Sequence, residues 1–74
     1  MDKLEAAKKH YEGRAAEAEA TIDMYLYNSV GIGEHPQVMQ ELRKQIEALG
    51  EARDSIDTIT TLQNRSKSKN QLNG

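Results

Sequence analysis

The stretch "SVGIGEHPQ", residues 29 to 37, gathers two of the five glycines and the only proline of a 74-residue chain. It falls between two long runs that read as helix, so its reading decides the fold. Gly31 is placed to close the first helix in a left-handed conformation, which glycine adopts without steric cost. Gly33 permits a second bend two residues later. Pro36 suits the first turn of a following helix, where the amide hydrogen it lacks would have no intrahelical partner. The stretch is therefore a helix–helix connection, and a connection this short makes its helices antiparallel.

Outward from the turn, both flanks carry helical periodicity. On the N-terminal side the apolar series is Leu4, Ala7, Tyr11, Ala15, Ala18, Ile22 and Leu26, which spans 22 residues in six intervals, about 3.67 per step. That is close to the undistorted period of an α-helix. On the C-terminal side Val38, Leu42, Ile46, Leu49, Ala52, Ile56 and Ile59 span 21 residues in six intervals, a step of 3.5, with Leu62 as a last contact. The expected fold is all-α: a helical hairpin over 1–63, with a helix at about 2–28, a turn at about 29–35 and a helix at about 36–63. Residues 64–74, "NRSKSKNQLNG", hold three basic residues, no acid and no apolar period, and are expected to be a disordered basic tail.

Folding about residues 32 and 33 pairs positions whose numbers sum to about 65. Ala15 and Ala16 then face Gly50 and Glu51, Ile22 faces Leu42 or Arg43, and Tyr11 lies near Asp54 and Ile56. Gly50 costs about 1 kcal/mol relative to alanine inside a helix. It is either the site of a close helix approach, or a tolerated surface glycine or slight kink. Met24, Tyr25, Met39, Ala48 and Leu62 widen the apolar stripes beyond one seam.

Composition limits how such a hairpin is stabilised. Phe, Trp and Cys are absent, so Leu, Ile, Val, Met, Ala and the tyrosines Tyr11, Tyr25 and Tyr27 must supply the core without disulfides. A chain this short buries only about 60% of the surface its unfolded form exposes. His10 and His35 are too few and too separated for a metal clip, so no metal or cofactor is expected. Self-association or docking on a partner is the remaining common solution, and a homodimer forming a four-helix bundle is the expected assembly. Charged residues make up 30% of the chain, and no apolar run approaches the ~20 residues that span a bilayer. The N-terminal "MDKLEAAKKHYEG" lacks a signal-peptide core, which points to the cytoplasm as the expected location, with no membrane partner.

The turn also holds residues that turning alone leaves unexplained. Ile32 and Val30 are β-branched and apolar where polar residues would serve. They either cap the core or form a tip for a partner. Glu34 and His35 make at most half of an acid–base or metal pair, and helix entry accounts for both. No nucleophile–base pair or metal cluster is visible, and "GIGEHP" lacks the Lys and Ser/Thr of a phosphate-binding loop. No catalytic residue is assigned and an enzyme is not expected. Ile32, Glu34 and His35 are the candidate partner-binding residues, with Gly31, Gly33 and Pro36 shaping the turn.

The net charge of −2 hides an asymmetry. Residues 1–16 and 53–74, at the end carrying both termini, hold eight basic against five acidic residues, a net +3; residues 17–52 hold two against seven, a net −5. Lys8, Lys9, Arg14, Arg65, Lys67 and Lys69 are thus candidate contacts for nucleic acid, although no aromatic platform accompanies them. A solvated helix face explains the same lysines.

The run "HYEGRAAEAEATIDMYLYNSVGIGEHPQVMQELRKQIEAL", residues 10–49, resembles the small helical-hairpin proteins encoded by T4-like tailed phages, and among them the small products encoded directly after the recombination helicase. The likeness extends over about residues 10–62, and its specific part is "GIGEHP", Gly31 to Pro36. The resemblance implies a setting in phage DNA replication, recombination or repair, in host cytoplasm, and brings no catalytic residue. The expected function is a non-enzymatic interaction module with a larger protein partner, for which the resemblance suggests a phage recombination helicase. The alternatives are a small nucleic-acid-binding protein acting through its basic termini and a virion or assembly component.

Overall fold

The computed structural model describes residues 2–27 and 36–73, with the side chains of 36, 66 and 68–73 outside the description. Two helices are present, α1 (Lys3–Tyr27) and α2 (Pro36–Asn73), and they pack on one another along their length. The Arg53 guanidinium donates to Glu19 Oε1 at 2.8 Å, and Gln63 Nε2 donates to Glu5 Oε2 at 3.1 Å. Advancing from Glu5 to Glu19 thus retreats from Gln63 to Arg53, which makes the hairpin antiparallel as expected.

The start of α1 has a cause written in its first residues. Asp2 accepts at Oδ1 from the Glu5 amide at 2.8 Å, and its carbonyl accepts from the Ala6 amide at 3.1 Å. This is an N-cap, worth about 1 kcal/mol over alanine. α2 begins on Pro36, the position a missing amide hydrogen favours. Residues 28–35, among them Gly31, Ile32, Gly33, Glu34 and His35 of the expected turn, lie outside the described residues.

α2 runs ten residues beyond the end expected at 63, and the stretch read as a disordered tail continues the helix to Asn73. No proline or glycine interrupts 51–73, and Arg65, Lys67, Lys69, Gln71 and Leu72 are ordinary helix formers. Absence of apolar period removes a reason to pack. It does not remove the ability to form backbone hydrogen bonds.

The molecule is a rod. Its principal extents are 60 × 18 × 16 Å and its radius of gyration is 17.4 Å, against about 11 Å for a compact domain of this length. A 38-residue helix is about 57 Å long at 1.5 Å per residue, so α2 alone sets the long dimension. Only Ala18, Ala52 and Ile59 are buried among the described residues. All three sit in one seam.

That seam departs from the apolar series in an instructive way. The buried or half-buried positions on α1 include a run Leu4, Lys8, Tyr11, Ala15, Ala18, Ile22 and Tyr25 at alternating steps of four and three, with Glu5, Ala7 and Thr21 half-buried at its edges. On α2 the corresponding run is Val38, Leu42, Gln45, Leu49, Ala52, Ile56, Ile59 and Gln63, with the same alternation, and Glu41, Ala48, Ser55, Thr60 and Leu62 are half-buried beside it. Both helices therefore keep the 3.5-residue repeat of a coiled coil, including α1, whose apolar residues alone gave 3.67. The runs differ from the apolar series in that Lys8 joins the half-buried Ala7, Tyr25 takes the seam position in place of the exposed Leu26, and Gln45 takes it in place of the exposed Ile46.

The register also moves. The cross-helix hydrogen bonds join residues whose numbers sum to 72 and 68, which centres the pairing near 70 and brings Ala18 level with Ala52 and Tyr11 level with Ile59. The expected value of 65 took the middle of the turn as the fold point. The interlocking of two seven-residue repeats sets the pairing instead. The small residues buried at mid-hairpin are Ala18 and Ala52; Gly50 is exposed, and a Cβ added there meets nothing within 4 Å. Gly50 is thus a surface glycine, and so is Gly13.

Candidate interaction surfaces

Two surfaces stand out once the register is known. The first is apolar and lies toward the turn. Met24, Leu26, Tyr27, Met39 and Ile46 are all at least half exposed, Tyr27 at 77%. Every exposed large hydrophobic side chain among the described residues is in this half of the hairpin.

Three of the five share a strip. Met39, Ile46 and Arg53 recur at seven-residue spacing on α2, and Leu26 and Glu19 do so on α1. Residues seven apart return to the same face of a coiled-coil helix. The Arg53–Glu19 ion pair therefore marks one edge of the seam, and Leu26, Met39 and Ile46 continue that edge toward the turn. Each of Leu26 and Ile46 follows a seam residue by one position, which rotates it about 100° off the contact. Met24 and Tyr27 sit elsewhere around α1. Methionine suits such a surface because its unbranched thioether adapts to varied partners.

The second surface is charged. Lys9, Arg14, Arg65 and Lys67 are exposed, whereas Lys8 is half-buried at a seam position. Register brings Lys3 and Lys67 to the same end of the rod. The side chain of Lys69 lies outside the described residues. Of the ion pairs among described residues, only Arg53–Glu19 is formed, between side chains 63% and 54% exposed.

Polar residues at seam positions escaped a search for apolar spacing. Gln45 Nε2 donates to Glu41 Oε1 at 3.1 Å, and Gln63 makes its cross-helix bond to Glu5. Each glutamine thus has a carboxylate acceptor near one end of the seam. Heptad spacing read without regard to polarity would have found both. The Asp2–Glu5 capping spacing was likewise open to view.

The concavities lined by described residues are shallow. A cleft of about 320 Å³ is lined by Tyr11, Glu51, Asp54, Ser55, Thr58 and Ile59. It places Tyr11 beside Asp54, as the hairpin reading expected. Among the described residues no group of three or more His, Cys, Asp or Glu is arranged to hold a metal ion. No described helix is long and apolar enough to cross a membrane. No protein-family model, curated protein or solved structure matches the chain.

Proposed function

We propose that this protein is a non-enzymatic interaction module, a helical hairpin that pairs with a second copy as a four-helix bundle and docks on a larger protein. The observation that carries the reading is the placement of Met24, Leu26, Tyr27, Met39 and Ile46, all at least half exposed in the turn-proximal half, while among the described residues only Ala18, Ala52 and Ile59 are buried. Apolar area left in water is stabilised by covering it, at roughly 25 cal/mol per Å². A rod with one thin seam gains more from a partner than a compact domain would.

The setting proposed for this activity is phage DNA replication, recombination or repair, with a recombination helicase as the larger partner. Its support is the resemblance carried by Gly31 to Pro36. Ile32, Glu34 and His35 are the turn residues assigned to that contact.

Sedimentation equilibrium at micromolar concentration tests the pairing. The expected mass is twice the chain's 8.3 kDa, and Leu26→Asp with Ile46→Asp should return it to one chain with helical circular dichroism retained. A monomer at every concentration, with a melting temperature independent of concentration, would refute the bundle. For docking on a larger protein, Ile32→Asp and His35→Ala should each abolish binding to the purified helicase without shifting the melting temperature.

The exposure of Lys9, Arg14, Arg65 and Lys67 supports a second reading, weak binding of nucleic acid by the basic end. Such binding is driven by counterion release and weakens steeply with salt. Titrating labelled single-stranded DNA at low salt decides it, since no binding there removes the reading.

A further inference from the structure

We propose that the second copy lies antiparallel to the first, with the turn-proximal half of each hairpin covered by the terminal end of the other. This rests on the pairing proposed above and adds its orientation. The occupant of the apolar, turn-proximal face is thus a second copy of this chain, contributing the basic C-terminal part of α2.

Size is the first argument. A standard specific interface takes about 800 Å² from each partner, roughly an eighth of the 5956 Å² the chain exposes. Five half-exposed side chains at one end of a 60 Å rod cannot supply all of it. The contact must extend along the rod onto charged surface, and charge then chooses the orientation.

Charge is the second argument. The register places residues 17–52, net −5, toward the turn, and residues 1–16 and 53–74, net +3, at the other end. Side by side with turns together, two copies set −5 against −5 and +3 against +3. Reversed, they set −5 against +3 twice. Like charges in juxtaposition are costly, and opposite charges steer association and fix register.

Overhang is the third argument. At a register of 70 or 71, Lys3, the first residue of α1, falls level with 67 and 68, so about the last one and a half turns of α2, to Asn73, extend past α1. Arg65 and Lys67 approach this overhang as exposed side chains. In the antiparallel arrangement it reaches the acidic, apolar end of the partner.

The chain has no cysteine, so single labels can be placed freely. Gln40 and Asn64 are exposed, neutral and 24 residues apart on α2, about 36 Å along the helix. Energy transfer is measured in mixtures of donor-labelled Gln40→Cys with acceptor-labelled Asn64→Cys, and of donor- with acceptor-labelled Gln40→Cys. The proposal expects strong transfer in the first mixture and weak transfer in the second. Strong transfer only between the two Gln40→Cys preparations would overturn the orientation and leave the dimer standing. Absence of transfer in both, with a one-chain mass, would overturn orientation and pairing together.

Charge reversal provides an independent arm. Arg65→Glu with Lys67→Glu changes the basic end from +3 to −1. The antiparallel dimer should then dissociate about tenfold more readily at low salt, with helical circular dichroism unchanged. A dissociation constant that stays the same or falls is the outcome for turns-together packing, and would count against the proposal.

Discussion

The middle of the hairpin and its turn-proximal half are built from similar residues and end in opposite states. In the middle, Ala18, Ala52 and Ile59 are buried, and Glu19 bridges to Arg53 beside them. Toward the turn, Leu26 and Ile46, both larger than alanine, remain 51% and 52% exposed. Hydrophobicity does not separate the two groups. Phase does, because Ala18 and Ala52 occupy seam positions whereas Leu26 and Ile46 each sit one residue past theirs. An apolar side chain one step out of phase ceases to be core and becomes surface that a partner can cover.

The sharpest way to break this comparison is to truncate one isoleucine in each region. Ile59→Ala should destabilise the hairpin by about 2–4 kcal/mol, the usual cost of emptying a buried isoleucine site. Ile46→Ala should cost less than about 1 kcal/mol in a monomer, where half its surface is already wet. Urea unfolding followed by circular dichroism at several protein concentrations measures both. Equal losses that appear only at high concentration would mean that the turn-proximal face is covered by association.

A smaller effect of opposite sign is expected at the glycines. Gly13→Ala and Gly50→Ala should each stabilise the protein by about 0.5–1 kcal/mol, because glycine disfavours helix interiors and the added Cβ meets no atom within 4 Å. Thermal melting of the two variants checks this. A loss of stability at either glycine would place another chain against that face in solution.

The smallest expected change concerns the ion pair that borders the central seam. Arg53→Gln should lower stability by no more than about 0.5 kcal/mol, since exposed pairs are worth little and are screened by salt. Repeating the melt in high salt should erase the difference. A loss above 1 kcal/mol that persists in salt would show that Arg53 contributes through packing of its stem along the seam.

Much of this molecule was legible in its residues taken one after another. Periodic apolar spacing on both flanks announced two helices, Pro36 marked the start of the second, and the short connection required them to be antiparallel. These properties depend on backbone sterics, capping and helical period, which act over a few residues. α2 continues past 63 for a related reason: the stretch there lacks apolar period, and period reports packing, whereas the helix requires only residues compatible with helical backbone.

What only the tertiary structure decided was phase and register. Tyr25 and Leu26 are adjacent and both apolar, and nothing local to α1 says which one faces α2. Gln45 and Ile46 pose the same question, and composition favours the wrong answer. The choice is made jointly, when two 3.5-residue repeats interlock around Ala18 and Ala52 and rotate each neighbour outward. That single act sets the pairing sum near 70, turns Gly50 to solvent, and leaves Leu26 and Ile46 on the same edge as the ion pair. Chain order prescribes the helices because their hydrogen bonds are local; the faces they show each other depend on a contact between residues more than thirty positions apart.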